Sequence, residues 1–154
     1  MQAQCLCQHH RQQVTESLTR ARRYFAQAMV SGLRAFRRDQ TEQAFRELGA
    51  AHEVARIMVV VHGCRHANDL QRYTDTAVLL RELLSMHDMH ELVGPFLRRF
   101  HADLVSLAAD ETTVFDIRRF GDQVNDTATL NPTMFFATLD VYANNQGSCF
   151  DSMH

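Results

Sequence analysis

The chain has 154 residues, of which 45% are hydrophobic and 22% charged, a balance that suits one domain with a real hydrophobic core. Two prolines and six glycines are too few for a turn-rich β fold, and a formal net charge of −2 excludes strong overall attraction to nucleic acid or acidic membranes. The charge is nevertheless uneven: residues 1–60 hold nine arginines against five acids, whereas residues 61–154 hold seven arginines against thirteen acids.

Every basic side chain other than histidine is an arginine, since the sequence contains no lysine. This excludes lysine Schiff-base and P-loop chemistry, and it is typical of a GC-rich genome, viral or bacterial. The first residues lack a basic segment followed by an apolar core, so no signal peptide is predicted. The longest apolar run, residues 57–61, is too short to span a membrane. We therefore expect an intracellular protein, cytoplasmic or nuclear.

The first predicted helix covers residues 14–38. Apolar residues recur every three or four positions from Val14 through Phe25 to Phe36, which is the spacing of one helix face. Arginines occupy the opposite face, where Glu16 stands one turn before Arg20 and predicts an ordinary intrahelical ion pair. The arginines of this opposite face are Arg20, Arg23, Arg34 and Arg38.

Three further long helices are predicted at residues 41–62, 69–86 and about 88–108, each from apolar residues at helical spacing. Thr41 is expected to cap the first of these three helices, and Asn68 or Asp69 the next. Asp88 and Glu91 have the spacing of a capping box for the third.

The C-terminal third contains clear helix stop and start signals. Gly94-Pro95 predicts a kink or a restart in the fourth helix. A short helix is predicted over residues 114–120, ended by Gly121 and followed by a polar linker at 121–130. Asn131 and Pro132 are typical of the cap and first turn of a final helix, which runs to about residue 147.

These elements together predict an all-α fold. The expected architecture is a mostly antiparallel bundle of four main helices, with one or two short helices at the C-terminus. Residues 1–13 are predicted to be a mobile N-terminal segment, residues 14–147 a single helical domain, and residues 148–154 a mobile tail.

Cysteine and histidine residues cluster at 5–10, 62–66 and 87–90. The helix predicted at 69–86 would hold the last two clusters about 27 Å apart, so these two cannot share one ion. The first two clusters are expected at the same end of the bundle, where they could supply the four ligands that zinc requires. The alternative is a set of unligated side chains near helix ends. The predicted zinc ligands are Cys5, Cys7, Cys64 and His66.

No nucleophile elbow or phosphate loop is present in the sequence, so we predict a non-enzymatic protein without a cofactor other than zinc. The main hypothesis is an adaptor or regulatory protein that binds another protein, or a second copy of itself, through apolar helix faces and the basic first helix. A metal- or haem-binding bundle is the second hypothesis, and a nucleic-acid-binding accessory protein the third. The residues expected to contact a partner are Arg20, Arg23, Arg34, Arg38, Phe135, Phe136 and Tyr142.

Overall fold

The computed structural model describes residues 5–110 and 117–125, and this part of the chain is all-α, as predicted. Its helices are α1 (Gln8–Glu16), α2 (Leu18–Arg37), α3 (Thr41–Val60), α4 (Ala67–Met86), α5 (His90–Ala108) and α6 (Arg118–Asn125). The predicted bundle of four main helices corresponds to α2–α5, in which short connections join neighbours that run antiparallel. None of the helices in the described ranges is long and apolar enough to cross a membrane.

The first predicted helix is interrupted at Ser17. The backbone of Ser17 is extended, with φ −142° and ψ 118°, and its hydroxyl accepts a hydrogen bond from the Arg20 amide at 3.2 Å. A side-chain cap of this kind begins a new helix. α1 and α2 therefore form a hairpin, in which the rings of His10 and Tyr24 lie 5.0 Å apart. The prediction of one continuous helix over residues 14–38 is wrong at this point.

Residues 5–13 pack on α3. Residues 8–13 form the start of α1, and Leu6 before them lies in the hydrophobic core with 1% of its surface exposed. Arg11 forms an ion pair with Glu53 of α3 at 2.6 Å. The helical part of the chain therefore begins at Gln8 and not at residue 14.

α2 and α3 approach each other closely because small residues lie between them. A Cβ atom on Gly32 would lie 2.7 Å from Leu48 Cγ and 3.1 Å from the Leu48 backbone nitrogen. Glycine is therefore needed for this close contact and not for backbone conformation. The alanines that are buried along α3 are Ala44, Ala50, Ala51 and Ala55.

A buried polar layer joins α3, α4 and α5. Arg56 donates two hydrogen bonds to Asp103, at 2.8 and 3.1 Å, and the Tyr73 hydroxyl donates a third at 2.6 Å. His52 Nδ1 lies 2.9 Å from Thr76 Oγ1. Every buried side-chain nitrogen and oxygen of the described residues has a hydrogen-bond partner. This pairing makes the three helices adopt one register, because a shift would leave buried polar atoms unsatisfied.

Neither Asn68 nor Asp69 caps α4, contrary to the prediction. The cap position is His66, whose side chain makes no capping hydrogen bond. Asp69 is fully buried inside the first turn, where it binds Arg22 of α2 at 2.9 Å and Arg72 at 2.8 Å. The carboxylate therefore connects α2 to α4 and is not available as a cap.

The starts of α3 and α5 also differ from the prediction. Thr41 is the first residue inside α3, and Gln40 takes the cap position without a side-chain hydrogen bond. The predicted capping box at α5 is absent, since Asp88 adopts a left-handed φ of 56° and Met89 is the cap residue. Pro95 lies within α5 and does not end it. Its missing amide removes one helical hydrogen bond near an exposed helix start, where water can replace it.

α6 begins and ends later than the short helix predicted at residues 114–120. Gly121 lies inside α6, which continues into the predicted polar linker. Phe120 and Val124 are buried, and Arg81 of α4 donates a hydrogen bond to the Val124 carbonyl. These tertiary contacts stabilise α6 as a continuous helix through Gly121, although glycine favours the end of a helix. The final helix predicted from Asn131 and the predicted tail lie outside the described residues.

Candidate functional site

Four arginines form an exposed row along α2, on the face that the sequence predicts. Side chains at spacings of three and four residues share one face of a helix, and all four are exposed. The opposite face is buried, with Phe25 and Leu33 only 1% and 5% exposed. The row is about 27 Å long at 1.5 Å per residue. This row, termed the basic face, consists of Arg20, Arg23, Arg34 and Arg38.

The basic face has no carboxylate partner within residues 5–110 and 117–125. The ion pair predicted between Glu16 and Arg20 is absent because the break at Ser17 places these residues on different helices. Glu16 instead accepts a hydrogen bond from Gln12 at 3.0 Å. Arg22, on another face of α2, does meet an acid, namely Asp69 at 2.9 Å. The described part of the chain therefore leaves the charge of the basic face unneutralised.

A surface cleft of about 520 Å³ lies at one end of the basic face, between the end of α2 and the start of α3. Arg34 and Arg38 line this cleft, and α3 adds Arg46, which is exposed and forms no ion pair with any described residue. Glu42 is the one acid among the lining side chains. Sequence reasoning missed Arg46, because periodicity within one helix does not indicate which residues of the next helix lie beside it. The remaining lining residues are Ser31, Ala35, Gln40, Thr41 and Gln43.

The structure does not bring the four predicted zinc ligands together. Cys5 lies against the middle of α3, where a Cβ atom on Gly49 would be 2.5 Å from its sulfur. Cys64 follows the C-terminal end of α3, and α3 rises about 17 Å from Gly49 to that end. His66 contacts the Cys64 thiol through its carbonyl oxygen, at 3.7 Å, and not through its ring. The α1–α2 hairpin causes the separation, because it folds residues 5–16 back along α3.

Burial also disfavours the thiolate form that zinc binds. Burial, followed by the charge of Asp69, raises the pKa of Cys64 to about 11. Burial, followed by the charge of Glu53, likewise raises the pKa of Cys5. Among the residues that the structure describes, no group of three or more His, Cys, Asp or Glu side chains is arranged to hold a metal ion.

Cys7, the remaining predicted ligand, pairs with His10. Its sulfur lies 3.0 Å from His10 Nδ1 on the exposed surface, at the cap position of α1. The His10 ring in turn contacts the ring of Tyr24. A thiol and one imidazole supply two ligands where zinc needs about four, so this pair does not form a zinc site by itself.

His52 is a buried titratable group whose pKa the fold shifts strongly. Burial, followed by the nearby charge of Arg99, lowers the pKa of His52 to about 3. The rings of Tyr73 and Phe96 pack against it at 4.9 and 4.8 Å. A general base must come within hydrogen-bond reach of its substrate, and this enclosed ring instead contributes packing and a hydrogen bond to Thr76.

The structure describes four of the seven residues predicted to contact a partner, and all four belong to the basic face. Phe135, Phe136 and Tyr142 lie outside the described residues. Large apolar side chains that are exposed in the described ranges lie on or beside α3, α4 and α5: Val60, Val61, Met86, Leu92 and Val105. Comparisons with protein-family models, with curated proteins and with solved structures found no match to this chain.

Proposed function

We propose that this chain is a small, intracellular, non-enzymatic protein that binds an acidic surface of another protein through the basic face, and so acts as an adaptor or regulator. The observation that carries the proposal is a row of four exposed arginines without a carboxylate partner among the described residues. Arginine suits this role because its planar guanidinium group can bind a carboxylate through two parallel hydrogen bonds. Cys7 and Cys64 form no disulfide within residues 5–110 and 117–125, which fits a reducing compartment.

The basic face carries a stability cost that an acidic partner would offset. Arg20 and Arg23 stand three residues apart and Arg34 and Arg38 four apart, and each such like-charge pair costs about 0.2–0.5 kcal/mol on a helix. Arg20 also lies in the first turn of α2, where the helix dipole disfavours a cation. Carboxylates of a partner would relieve both sources of repulsion.

An acidic protein fits this surface better than a nucleic acid does. The exposed residues between the arginines on this face are Gln27 and Ser31. Tyr24 shares the face of Ser31 but is half-buried, with its ring against His10, so no exposed aromatic ring is interleaved there for base stacking. Residues 61–154 carry a net charge of −6, which opposes the approach of a long polyanion to the molecule. A protein partner can instead present a local patch of carboxylates to α2 alone.

The proposal is tested by capturing the partner from native cell extract with three forms of the full chain. The wild type is compared with two double variants that remove the same amount of charge from exposed positions. We expect one protein to be recovered by the wild type and the control variant, and lost from the basic-face variant. The basic-face variant is Arg20→Gln/Arg23→Gln, and the control variant is Arg65→Gln/Arg98→Gln.

The recovered protein is then purified, and its direct binding to the wild type is measured by calorimetry. Equal recovery by the two double variants would refute a role for the basic face. Loss of the captured material after nuclease treatment would indicate nucleic acid instead. If the wild type sediments as a monomer and recovers no protein, the proposal is also overturned. If the wild type sediments as a dimer and the basic-face variant sediments as a monomer, the proposal is supported, and the partner is a second copy of the chain.

A further inference from the structure

A groove runs between α2 and α3 on one side of the bundle, and α1 fills part of it. Near the C-terminal end of α3, His62 Nε2 lies 2.8 Å from the carbonyl oxygen of Val14. Further along α3, the Arg11 side chain and the Cys5 amide bind Glu53 at 2.6 and 3.3 Å. Residues 5–16 therefore cover α3 from its C-terminal end to its middle.

The cleft continues this groove toward the turn between α2 and α3. On α3, Arg46 precedes Glu53 by seven residues, or two turns, and so shares its face. On α2, Tyr24 contacts α1. Ser31 and Arg38 lie seven and fourteen residues after Tyr24, so these three residues lie on one side of α2. The two helix faces that hold α1 thus extend beyond it, and there they line the cleft.

We propose that this open part of the groove binds a short acidic segment of the partner protein, which continues the path of α1 end to end. The stretch of α3 that precedes Gly49 and that the described residues leave uncovered, 41–48, is about 11 Å long. This length matches about seven residues of a helix or about three residues of an extended chain. The inference rests on the proposed function, and it adds the location of the contact and the chemistry of the bound segment.

The charge of the cleft selects acidic side chains. Its lining carries Arg34, Arg38 and Arg46 against the single acid Glu42, a net charge of +2. Glu42 lies in the first turn of α3, where the helix dipole stabilises an anion. Ala35 is buried and lines the cleft as an apolar residue. A segment with carboxylates on either side of a small apolar residue therefore complements this surface.

The inference is tested with a fluorescent twelve-residue peptide of alternating glutamate and alanine, titrated with the full chain and followed by fluorescence anisotropy at about 150 mM salt, where the Debye length is about 8 Å. A peptide with glutamine in place of glutamate is the uncharged comparison. We expect loss of the two cleft arginines to weaken glutamate-peptide binding about tenfold, since two charge-assisted contacts disappear. The other two variants should weaken it less than about threefold, because salt screens distant exposed charges. The three variants are Arg38→Gln/Arg46→Gln in the cleft, Arg20→Gln/Arg23→Gln at the far end of the basic face, and Arg65→Gln/Arg98→Gln as the control.

Ser31→Tyr provides a second test, because it fills the cleft without changing its charge, and we expect a comparable loss of binding. The substituted side chains are all exposed, and circular dichroism with thermal melting verifies that each variant folds. Equal weakening by the cleft pair and the far-end pair would overturn the inference while leaving the proposed function intact.

Three other results would also overturn the inference. The first is that the wild type binds the glutamine peptide as tightly as the glutamate peptide. The second is that it binds inorganic phosphate or an oligonucleotide more tightly than the glutamate peptide. The third is that it does not bind the glutamate peptide at all. Capture of the partner from extract tests the proposed function separately, so failure of the peptide experiment and failure of the function are distinguishable.

Discussion

At the scale of single residues, His52 shows how burial removes a charge from the core. Its ring lies between α3 and α4, with Nδ1 2.9 Å from Thr76 Oγ1 and the rings of Tyr73 and Phe96 against it. Burial is the largest cause that lowers its pKa to about 3, and the charge of Arg99 is the next. His52 is therefore neutral in the folded protein near neutral pH.

Lowering the pH from about 7 to about 5 should reduce the free energy of unfolding by about 2 kcal/mol through His52 alone. The unfolded histidine titrates near pH 6.5, whereas folded His52 takes up a proton only near pH 3. The contribution is therefore complete above pH 6.5 and is lost as the pH falls toward 3. Urea unfolding at the two pH values measures it. His52→Gln should lose less stability over this interval, and the exposed control His9→Gln should follow the wild type. If His52→Gln loses as much unfolding free energy between the two pH values as the wild type does, the loss does not come from His52.

At the scale of elements, the reversal at Ser17 decides what α2 and α3 present to solvent. Because α1 folds back, Glu16 no longer stands one turn before Arg20, and its carboxylate binds Gln12. The same reversal makes α1 fill one part of the α2–α3 groove, while the other part is left uncovered by the residues that the structure describes. The hairpin therefore underlies both the unpaired basic face and the cleft.

Ser17→Ala should lower the free energy of unfolding by about 1 kcal/mol, within a range of about 0.5–2 kcal/mol, because the Arg20 amide loses its capping acceptor. Ser17→Asp is the matched control, since a carboxylate can accept the same hydrogen bond and favours a helix N-terminus. Chemical denaturation of both variants measures the difference. An aspartate variant less stable than the alanine variant would argue against a capping role.

Two glycine-to-alanine changes should have opposite effects on the free energy of unfolding, because only one of these glycines lies at the contact between α2 and α3. Gly32→Ala should destabilise the protein by about 1–3 kcal/mol, because the new Cβ would meet Leu48 Cγ at 2.7 Å. Gly121→Ala should stabilise it by about 0.5–1 kcal/mol, because this position lies inside α6 and a Cβ there would make an ordinary contact with Leu104 Cδ1 at 3.5 Å. Thermal and urea unfolding of the two variants provide the comparison. A Gly32→Ala protein as stable as the wild type would show that the helices can separate without cost.

At the scale of the whole molecule, the chain is basic in its first 60 residues and acidic in the remainder. Such a separation of charge orients an approaching acidic partner toward α2 before contact. The association rate of the glutamate peptide or the purified partner should therefore fall steeply as salt rises from about 50 to about 300 mM, while the dissociation rate changes little. Stopped-flow fluorescence measures both rates. The Arg20→Gln/Arg23→Gln variant should show a shallower salt dependence, and a wild-type association rate independent of salt would contradict electrostatic steering.

Helical periodicity predicted the extents of α3 and α4 within about two residues, because each helix keeps an apolar face along its length. It missed the break at Ser17 because Val14 and Leu18 continue the apolar spacing across that break. The predicted caps failed for a tertiary reason. Asp69 is buried by Arg22, a residue 47 positions away in the chain, and local sequence does not show this pairing.

The amino-acid sequence by itself determined the all-α class and the exposed arginines of the basic face, because the periodicity of a helix is a property of consecutive residues. Only the tertiary structure decided that the predicted zinc ligands lie apart and that Arg46 joins Arg34 and Arg38 in one cleft. Both outcomes depend on where α1 turns back and on how closely α2 packs on α3. The position of α1 and the spacing of α2 and α3 arise from packing between residues that are remote in sequence. The periodicity along one helix carries no information about this packing.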